Sequence, residues 1–103
     1  MAYERIQIIG HISKAEALMS TAKNPYFRMS VGVNDGKDSP TRWYSVLMFG
    51  SLVKDTNALL AKYRPGKRIL VEGRPQVEAF IKRDGSAGLD NSIVAISYPE
   101  LLD

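Results

Sequence analysis

Apolar and polar side chains alternate most clearly between Tyr26 and Val33. A two-residue period is typical of a β-strand with one buried face. A turn-rich segment, residues 34–40, follows, and residues 42–49 are again rich in aromatic and β-branched side chains. Two such segments joined by a turn predict a β-hairpin. The face of the first strand expected to be buried consists of Phe27, Met29, Val31 and Val33.

Three further segments have the composition of strands. They cover residues 4–12, residues 67–72 with a continuation over 77–81, and residues 92–98. Gly10 interrupts the first, and a glycine inside a strand often marks a bulge or a barrel corner. Gly73 and Pro75 bend or interrupt the second. Residues 13–24 lack the strand pattern and are expected to form a loop or a short helical turn.

A helix is predicted between the third and fourth strands. Ser51 is its expected N-cap, and residues 64–66, Arg-Pro-Gly, end it. Three strands, a helix and two more strands form the element order of a five-stranded OB-fold barrel. The sequence therefore predicts an all-β fold with one helix, in a single OB domain spanning residues 1–103. The helix's apolar side consists of Leu52, Val53, Leu59, Leu60 and Tyr63.

Composition narrows the possible partners only slightly. Of the 103 residues, 45% are hydrophobic, which is enough for a core, and none is cysteine. The net charge of +3 favours polyanionic partners, although ordinary solubility explains it equally well. No stretch approaches the ~20 apolar residues of a membrane span. The first five residues lack the apolar segment of a signal peptide, so a cytosolic protein without a membrane partner is expected.

Catalytic groups are sparse. His11 is the only histidine and, without cysteine, a zinc site would need several carboxylates around it. Nothing in the sequence orients His11 for a catalytic triad. The two Gly-Lys pairs lack the remaining residues of a phosphate-binding loop. Neither enzymatic activity nor a metal or other cofactor is expected.

Aromatic and basic residues instead indicate nucleic-acid binding. Sequence-tolerant binding of a single strand needs aromatic faces for base stacking and positive charges along the phosphates. Trp43 and Phe49 are six residues apart and share a face of the third strand. Trp43 follows a polar turn and is expected to be exposed, whereas Phe49 is equally compatible with the core. Phe80 lies at the tip of a basic hairpin, where it could grip DNA or support the hairpin.

Basic residues on the second and third strands are the best candidates for phosphate contacts, because these strands form the usual OB binding face. Arg28 lies on the polar face of the second strand, and Arg42 precedes Trp43. Arg74 and Lys82 add charge near the fourth strand, and Tyr26 offers another ring. The predicted binding residues are Trp43, Phe49, Phe80, Arg42, Arg28, Arg74, Lys82 and Tyr26.

Three segments resemble the bacterial and phage single-stranded DNA-binding protein family. Residues 5–12, RIQIIGHI, are similar to its opening strand, and residues 43–50, WYSVLMFG, to its Trp and Phe-Gly motif. Residues 65–73, PGKRILVEG, resemble its Gly turn, strand and Glu-Gly. The resemblance implies an OB fold that oligomerises, most often as a homotetramer. It also implies base stacking at Trp43, Phe49 and Phe80, and a dimer interface on the first strand near His11.

The resemblance implies a protein that coats and protects single-stranded DNA in replication, recombination or repair. The chain departs from the family at Gln76 and Glu78, where basic residues are usual, and in a slightly longer helix region. It also ends without the family's long acidic-tipped tail, which leaves replication-protein partners open. The alternative function is an OB-fold adaptor in a primosome-like assembly, of the primosomal replication protein N type.

Overall fold

Eight elements of secondary structure make up the computed structural model, which describes residues 4–34, 36, 40–81, 85 and 87–102. Only the backbone is described at residues 77–81 and 87–90. The elements are β1 (Ile6–Met19), β2 (Pro25–Val33), β3 (Arg42–Met48), a 3₁₀ turn (Gly50–Leu52), α1 (Thr56–Lys62), β4 (Arg68–Ile81), β5 (Ala87–Ala95) and β6 (Glu100–Leu101).

Five strands close into a barrel in the order β1-β2-β3-β5-β4, and β4 pairs back onto β1. The β3–β5 pairing is parallel, and the other pairings are antiparallel. The helix lies between β3 and β4 in the chain, as predicted for an OB fold. The short β6 extends the sheet beside β4. None of the helices in the described part of the chain has the length and apolarity to cross a membrane.

The core fills the barrel with the inward side chains of all five strands. The predicted buried face of β2 is confirmed, because Phe27, Met29 and Val31 have no exposed surface. Burying each such side chain contributes about 1.5–3 kcal/mol. The other core side chains on strands include Ile8, Ile12, Val46, Met48, Ile69, Val71, Ile93 and Ala95.

β1 is longer than predicted. Residues 13–19, expected to form a loop or helical turn, continue the strand and pair with β2 up to Met19. A register shift between Ile12 and Lys14 marks a bulge. A bulge changes which residues face inward: Ile12 is buried before it, and Ala15 packs on the core after it. Lys14 and Glu16 consequently lie on the outer surface.

Two glycines stand where strands change partners. Gly73 is the last residue of β4 to pair with β1 and the first to pair with β5. A Cβ atom at Gly73 would collide with the carbonyl oxygen of Val94. A Cβ atom at Gly10 would lie 2.5 Å from the carbonyl oxygen of Gly32. The missing side chains let the strands approach closely enough for the barrel to close.

The helix starts later than predicted. Its N-cap is Asp55, whose Oδ1 accepts a hydrogen bond of 3.1 Å from the Ala58 amide, and Ser51 belongs instead to the 3₁₀ turn. Val53, Leu59 and Tyr63 are buried as expected. Leu60 is 39% exposed, so its predicted place on the packed side was wrong.

The last two barrel strands also differ from their predicted bounds. β4 runs without a break from Arg68 to Ile81, whereas two segments separated by Gly73 and Pro75 were expected. β5 covers Ala87–Ala95, starting five residues before the predicted 92–98 and ending three residues earlier. The tail after Pro99 forms β6. Turn-forming residues in these segments therefore bend the sheet without ending its strands.

Tyr63 connects the helix to the C-terminal segment. Its side chain is fully buried, and its hydroxyl donates a hydrogen bond of 2.8 Å to the Pro99 carbonyl oxygen. Burial, with a smaller contribution from Tyr98, raises the pKa of Tyr63 to about 12. The neutral phenol is therefore the form that stabilises the folded chain.

A first prediction concerns barrel closure. We expect Gly73→Ala to lower the free energy of unfolding by about 1–3 kcal/mol, because the new Cβ atom must displace backbone of β5. Urea unfolding followed by circular dichroism measures the change. Gly36→Ala is the matched control and should stay within about 0.5 kcal/mol, since a Cβ atom there meets nothing within 4 Å. Equal stability of the Gly73 variant and the wild type would contradict this role.

A second prediction concerns alkaline pH. An unfolded tyrosine ionises near pH 10, whereas folded Tyr63 stays neutral up to about pH 12. The unfolded state therefore loses this proton first, and the stability that Tyr63 contributes declines as the pH rises from 10 to 12. Urea unfolding at pH 9 and pH 11 should show a smaller decline for Tyr63→Phe than for the wild type. Equal declines in the free energy of unfolding of both proteins would contradict this role of Tyr63.

Candidate nucleic-acid interface

The outer surface of β2 and β3 gathers most of the predicted binding residues. Val46 and Met48 point into the core, so the alternating residues Trp43, Ser45 and Leu47 point outward. The same alternation applies to β2, and the pairing register sets Gly32 beside Trp43 and Arg28 beside Leu47. We call this surface the β2–β3 face; it consists of Tyr26, Arg28, Ser30, Gly32, Trp43, Ser45, Leu47 and Phe49.

Trp43 lies at one end of this face and is 54% exposed, in agreement with the exposure predicted for it. Its neighbour on β2 is Gly32, where an added Cβ atom would lie 3.0 Å from Cζ3 of the indole. The indole therefore packs on bare backbone, which leaves much of its surface to solvent. A planar, half-exposed ring in this position is suited to stacking on another planar group.

Phe49 lies at the opposite end and is 45% exposed. The sequence left it equally compatible with core and surface, and the structure places it on the surface. Its ring stacks on Tyr26, with 5.5 Å between ring centroids and 25° between ring planes. Tyr26 therefore supports Phe49 from the neighbouring strand and presents part of its own ring.

Polar side chains from four strands continue the face sideways. Across the sheet, Arg28 of β2 pairs with Glu16 of β1, and Arg74 of β4 pairs with Val94 of β5. Two residues along the strands, in the next row of outward side chains, are Lys14 of β1 and Gln76 of β4. A groove runs along this surface, lined by Ser20, Thr21, Tyr26, Arg28, Ser45, Leu47, Phe49, Gln76 and Ser92.

Among the described side chains of these two rows, cations outnumber carboxylates. Arg28 lines the groove, Arg74 is exposed nearby, and Lys14 lies 3.8 Å from Glu16 in a salt bridge. These rows therefore hold three described cations and one described carboxylate. Anionic groups of an extended ligand would be attracted to them.

Arg42 begins β3 but does not lie on the β2–β3 face. It pairs with Val33, and the alternation of β3 puts it on the opposite face from Trp43. It lines a second depression together with Ile6, Ile9, Val33, Tyr44 and Leu70. The structure therefore does not bring Arg42 together with the aromatic side chains of the β2–β3 face.

Two predicted binding residues lie partly or wholly outside the described structure. The backbone of Phe80 pairs with Gly88 near the end of β4, but its side chain is not described. Lys82 lies outside the described residues. Their proposed contacts with nucleic acid stay predictions.

Lys14, Leu47 and Ser92 belong to the groove region but were not among the predicted site residues. Lys14 was not predicted as a strand residue of this surface because β1 was expected to end at Ile12. Lys14 and Glu16 share a face in any strand, but without the bulge that face would be the buried one of Ile12. The position of Ser92 could be predicted only from the parallel β3–β5 pairing, which brings Ser92 beside Ser45.

The described part of this arrangement offers stacking surfaces and cations. No cluster of three or more histidine or acidic side chains suited to a metal ion occurs in the described portion of the chain. His11 is exposed on β1, where it pairs with Arg68 of β4 as well as with Gly32 of β2. The groove can therefore hold planar rings and anions, as an unpaired nucleic-acid strand presents them.

Comparison with known proteins agrees with this geometry. The chain is 28% identical over 95 residues to the mitochondrial single-stranded DNA-binding protein RIM1 of Saccharomyces cerevisiae, covering 91% of this chain and 69% of RIM1. A crystal structure of Rim1 matches with a TM-score of 0.70 and 26% identity, and the match covers all of this chain and 98% of the Rim1 chain.

More distant structures share the fold. The single-stranded DNA-binding protein of Plasmodium falciparum, solved with single-stranded DNA, has a TM-score of 0.73 at 17% identity. The match covers all of this chain and 97% of the Plasmodium chain. The small single-stranded DNA-binding protein of Streptomyces coelicolor has a TM-score of 0.71 at 20% identity, over 94% of this chain and 93% of its own.

The model of one protein family matches residues 3–98, nearly the whole chain. The match includes every strand of the barrel and the complete β2–β3 face. The chain belongs to the single-strand binding protein family.

Proposed function

We propose that the protein coats single-stranded DNA with little sequence preference, by stacking bases on Trp43 and Phe49 and contacting phosphates with nearby cations. The observation that carries this proposal is the β2–β3 face, which has an exposed ring at each end. A groove lined by Phe49 and Arg28 runs along one part of this face. Family membership supports DNA binding without catalysis, in agreement with the sequence prediction that the chain is not an enzyme.

Stacking explains both affinity and sequence tolerance. Each base stacked on an aromatic side chain contributes about 1–3 kcal/mol, and every base has a flat face to offer. Trp43 and Phe49 lie at the two ends of β3, six residues or about 20 Å apart. A strand lying along β3 would therefore place different bases on the two rings. Phe80 is proposed as a third platform.

Phosphate contacts would come from several strands. Arg28 lies between the two aromatic ends on β2, while Lys14 and Arg74 flank the groove on β1 and β4. We include Lys82 as a further contact beyond β4 and keep Arg42 as a candidate at the end of β3. Gln76 lines the groove without adding charge, so the phosphate path on β4 depends on Arg74.

Self-association is a second part of the proposal. Ile9 is 52% exposed on the outer side of β1, beside Leu70 of β4. Glu72 lies next to these two residues, where Arg5 and Gln7 bind its carboxylate. An exposed apolar centre with a polar rim is typical of a protein interface. We propose that this surface, with His11 at its edge, forms a dimer that assembles into a homotetramer.

A single OB domain of this kind would protect unpaired DNA during replication, recombination or repair. The cytosol is the compartment proposed from the sequence, whereas the yeast relative is mitochondrial. These roles follow from coating itself, because unpaired strands arise in all three processes. Replication-protein partners are not specified by the described surface.

A third prediction tests DNA binding. Titration with oligo-dT at low salt should quench the emission of Trp43, the sole tryptophan. Phe49→Leu should weaken binding by about 1–3 kcal/mol, the value of one stacked base. The wild-type affinity should fall with salt, with a log–log slope near −0.7 per phosphate contacted.

Leu60→Ala is the matched control for the same titration. Leu60 has a similar exposed fraction to Phe49 but lies on α1, so the affinity should be unchanged. A parallel titration with oligo-U measures the preference for DNA over RNA. Absence of quenching at low salt would contradict the proposal. Tight binding to a helicase-loading protein, together with weak affinity for DNA, would favour the adaptor function.

A fourth prediction tests self-association. Ile9→Glu puts a charge in the exposed apolar centre and should dissociate the oligomer without unfolding the barrel, because Ile9 lies on the outside. Sedimentation equilibrium and circular dichroism measure the two effects. Leu60→Glu, an exposed position on α1, should keep the wild-type mass. A monomeric wild type would rule the interface out.

A further inference from the structure

Tyr98 is an exposed aromatic residue that is not among the predicted binding residues. It is 48% exposed and follows Ile96, which is 38% exposed, just beyond the end of β5. Val94 on β5 pairs beside Leu47 of the β2–β3 face. The chain from Val94 to Tyr98 therefore leads away from the groove and carries large apolar side chains on the surface.

The position of Tyr98 is tied to Phe49. Its hydroxyl lies 3.5 Å from the carbonyl oxygen of Ser51, in the 3₁₀ turn that directly follows β3. Ser51 is two residues after Phe49, so their Cα atoms are at most about 7.6 Å apart. Tyr98 thus stands beside the end of the groove at which Phe49 and Tyr26 stack.

Two lysines accompany this ring. Nζ of Lys62 on α1 lies 5.7 Å from the ring centroid of Tyr98 and 5.2 Å from that of Tyr63. Lys54 lines the same depression, whose floor is formed by Leu52 and Leu59. The one carboxylate there, Asp55, already accepts a hydrogen bond as the N-cap of α1. An exposed ring with cations around it repeats the chemistry of the β2–β3 face.

We propose that Tyr98 is an additional base-stacking platform, and that Lys62 and Lys54 contact the neighbouring phosphates. The DNA strand then runs from Trp43 to Phe49, passes the 3₁₀ turn and continues onto the surface between Tyr98 and α1. This inference rests on the proposed function. An acidic peptide would also match two lysines beside an apolar depression, but the contact of Tyr98 with Ser51, two residues after Phe49, favours the DNA strand.

The test compares two substitutions at Tyr98 with oligo-dT of two lengths. OB-fold site sizes span about 4–16 nucleotides, so dT of about 5 and about 16 nucleotides separates the central groove from the extended path. Tyr98→Leu removes the ring and keeps apolar packing, whereas Tyr98→Phe keeps the ring and loses only the hydroxyl. Trp43 quenching reports binding in every variant.

We expect Tyr98→Leu to weaken binding of the long oligonucleotide about 5- to 100-fold, the equivalent of one stacked base. Binding of the short oligonucleotide should stay unchanged, and Tyr98→Phe should behave as the wild type at both lengths. Lys62→Gln should make the salt slope for the long oligonucleotide shallower by about 0.7. Thermal unfolding checks that each variant remains folded.

Photocrosslinking gives a direct readout. A long oligonucleotide carrying 5-iodouracil should form an adduct at Tyr98 of the wild type, identified by mass spectrometry. Equal affinities of Tyr98→Leu and wild type at both lengths, without an adduct at Tyr98, would overturn the inference while DNA binding stands. That result would leave the depression to an acidic peptide. Failure of the short oligonucleotide to quench Trp43 would overturn the proposed function and this inference together.

Discussion

Closure of the barrel depends on the close approach of β1 and β4 to their neighbours at two glycines. Gly73 is where β4 leaves β1 for β5, and its missing Cβ atom makes room for the Val94 carbonyl. Gly10 does the same for β1 beside Gly32. A Cβ atom at Gly73 would push the backbones of β4 and β5 apart and weaken the pairing of β4 with β1 and β5 in succession. The curved outer surface depends on that pairing.

The closed barrel divides each strand into an inner and an outer set of side chains. On β3 the inner set is Val46 and Met48, and the outer set includes Trp43 and Phe49. The two rings are exposed because the intervening positions are the ones required by the core. Gly32 then gives the indole a flat surface to lie on, so the same division that builds the core also presents the rings.

The features set by local pattern were predictable from the sequence. The two-residue period of β2, the exposure of Trp43 and the element order of the OB fold all follow from neighbouring residues. The second half of β1 was not predictable in this way, since Ser13 to Met19 have little β propensity and are held by pairing with β2. Arg42 was predicted only as a residue of the third strand, and its separation from Trp43 follows because adjacent residues of a strand face opposite ways.

The balance of forces at the groove follows from its charges. Arg28 lies beside Glu16, which also binds Lys14, so part of the positive potential is neutralised within the site. Gln76 adds no cation on β4. Phosphate attraction is screened by salt, whereas stacking on Trp43 and Phe49 is far less sensitive to it. In the proposed mode of binding, the bases stacked on Trp43 and Phe49 would therefore supply most of the affinity at physiological salt, in keeping with an exposed ring at each end of the β2–β3 face.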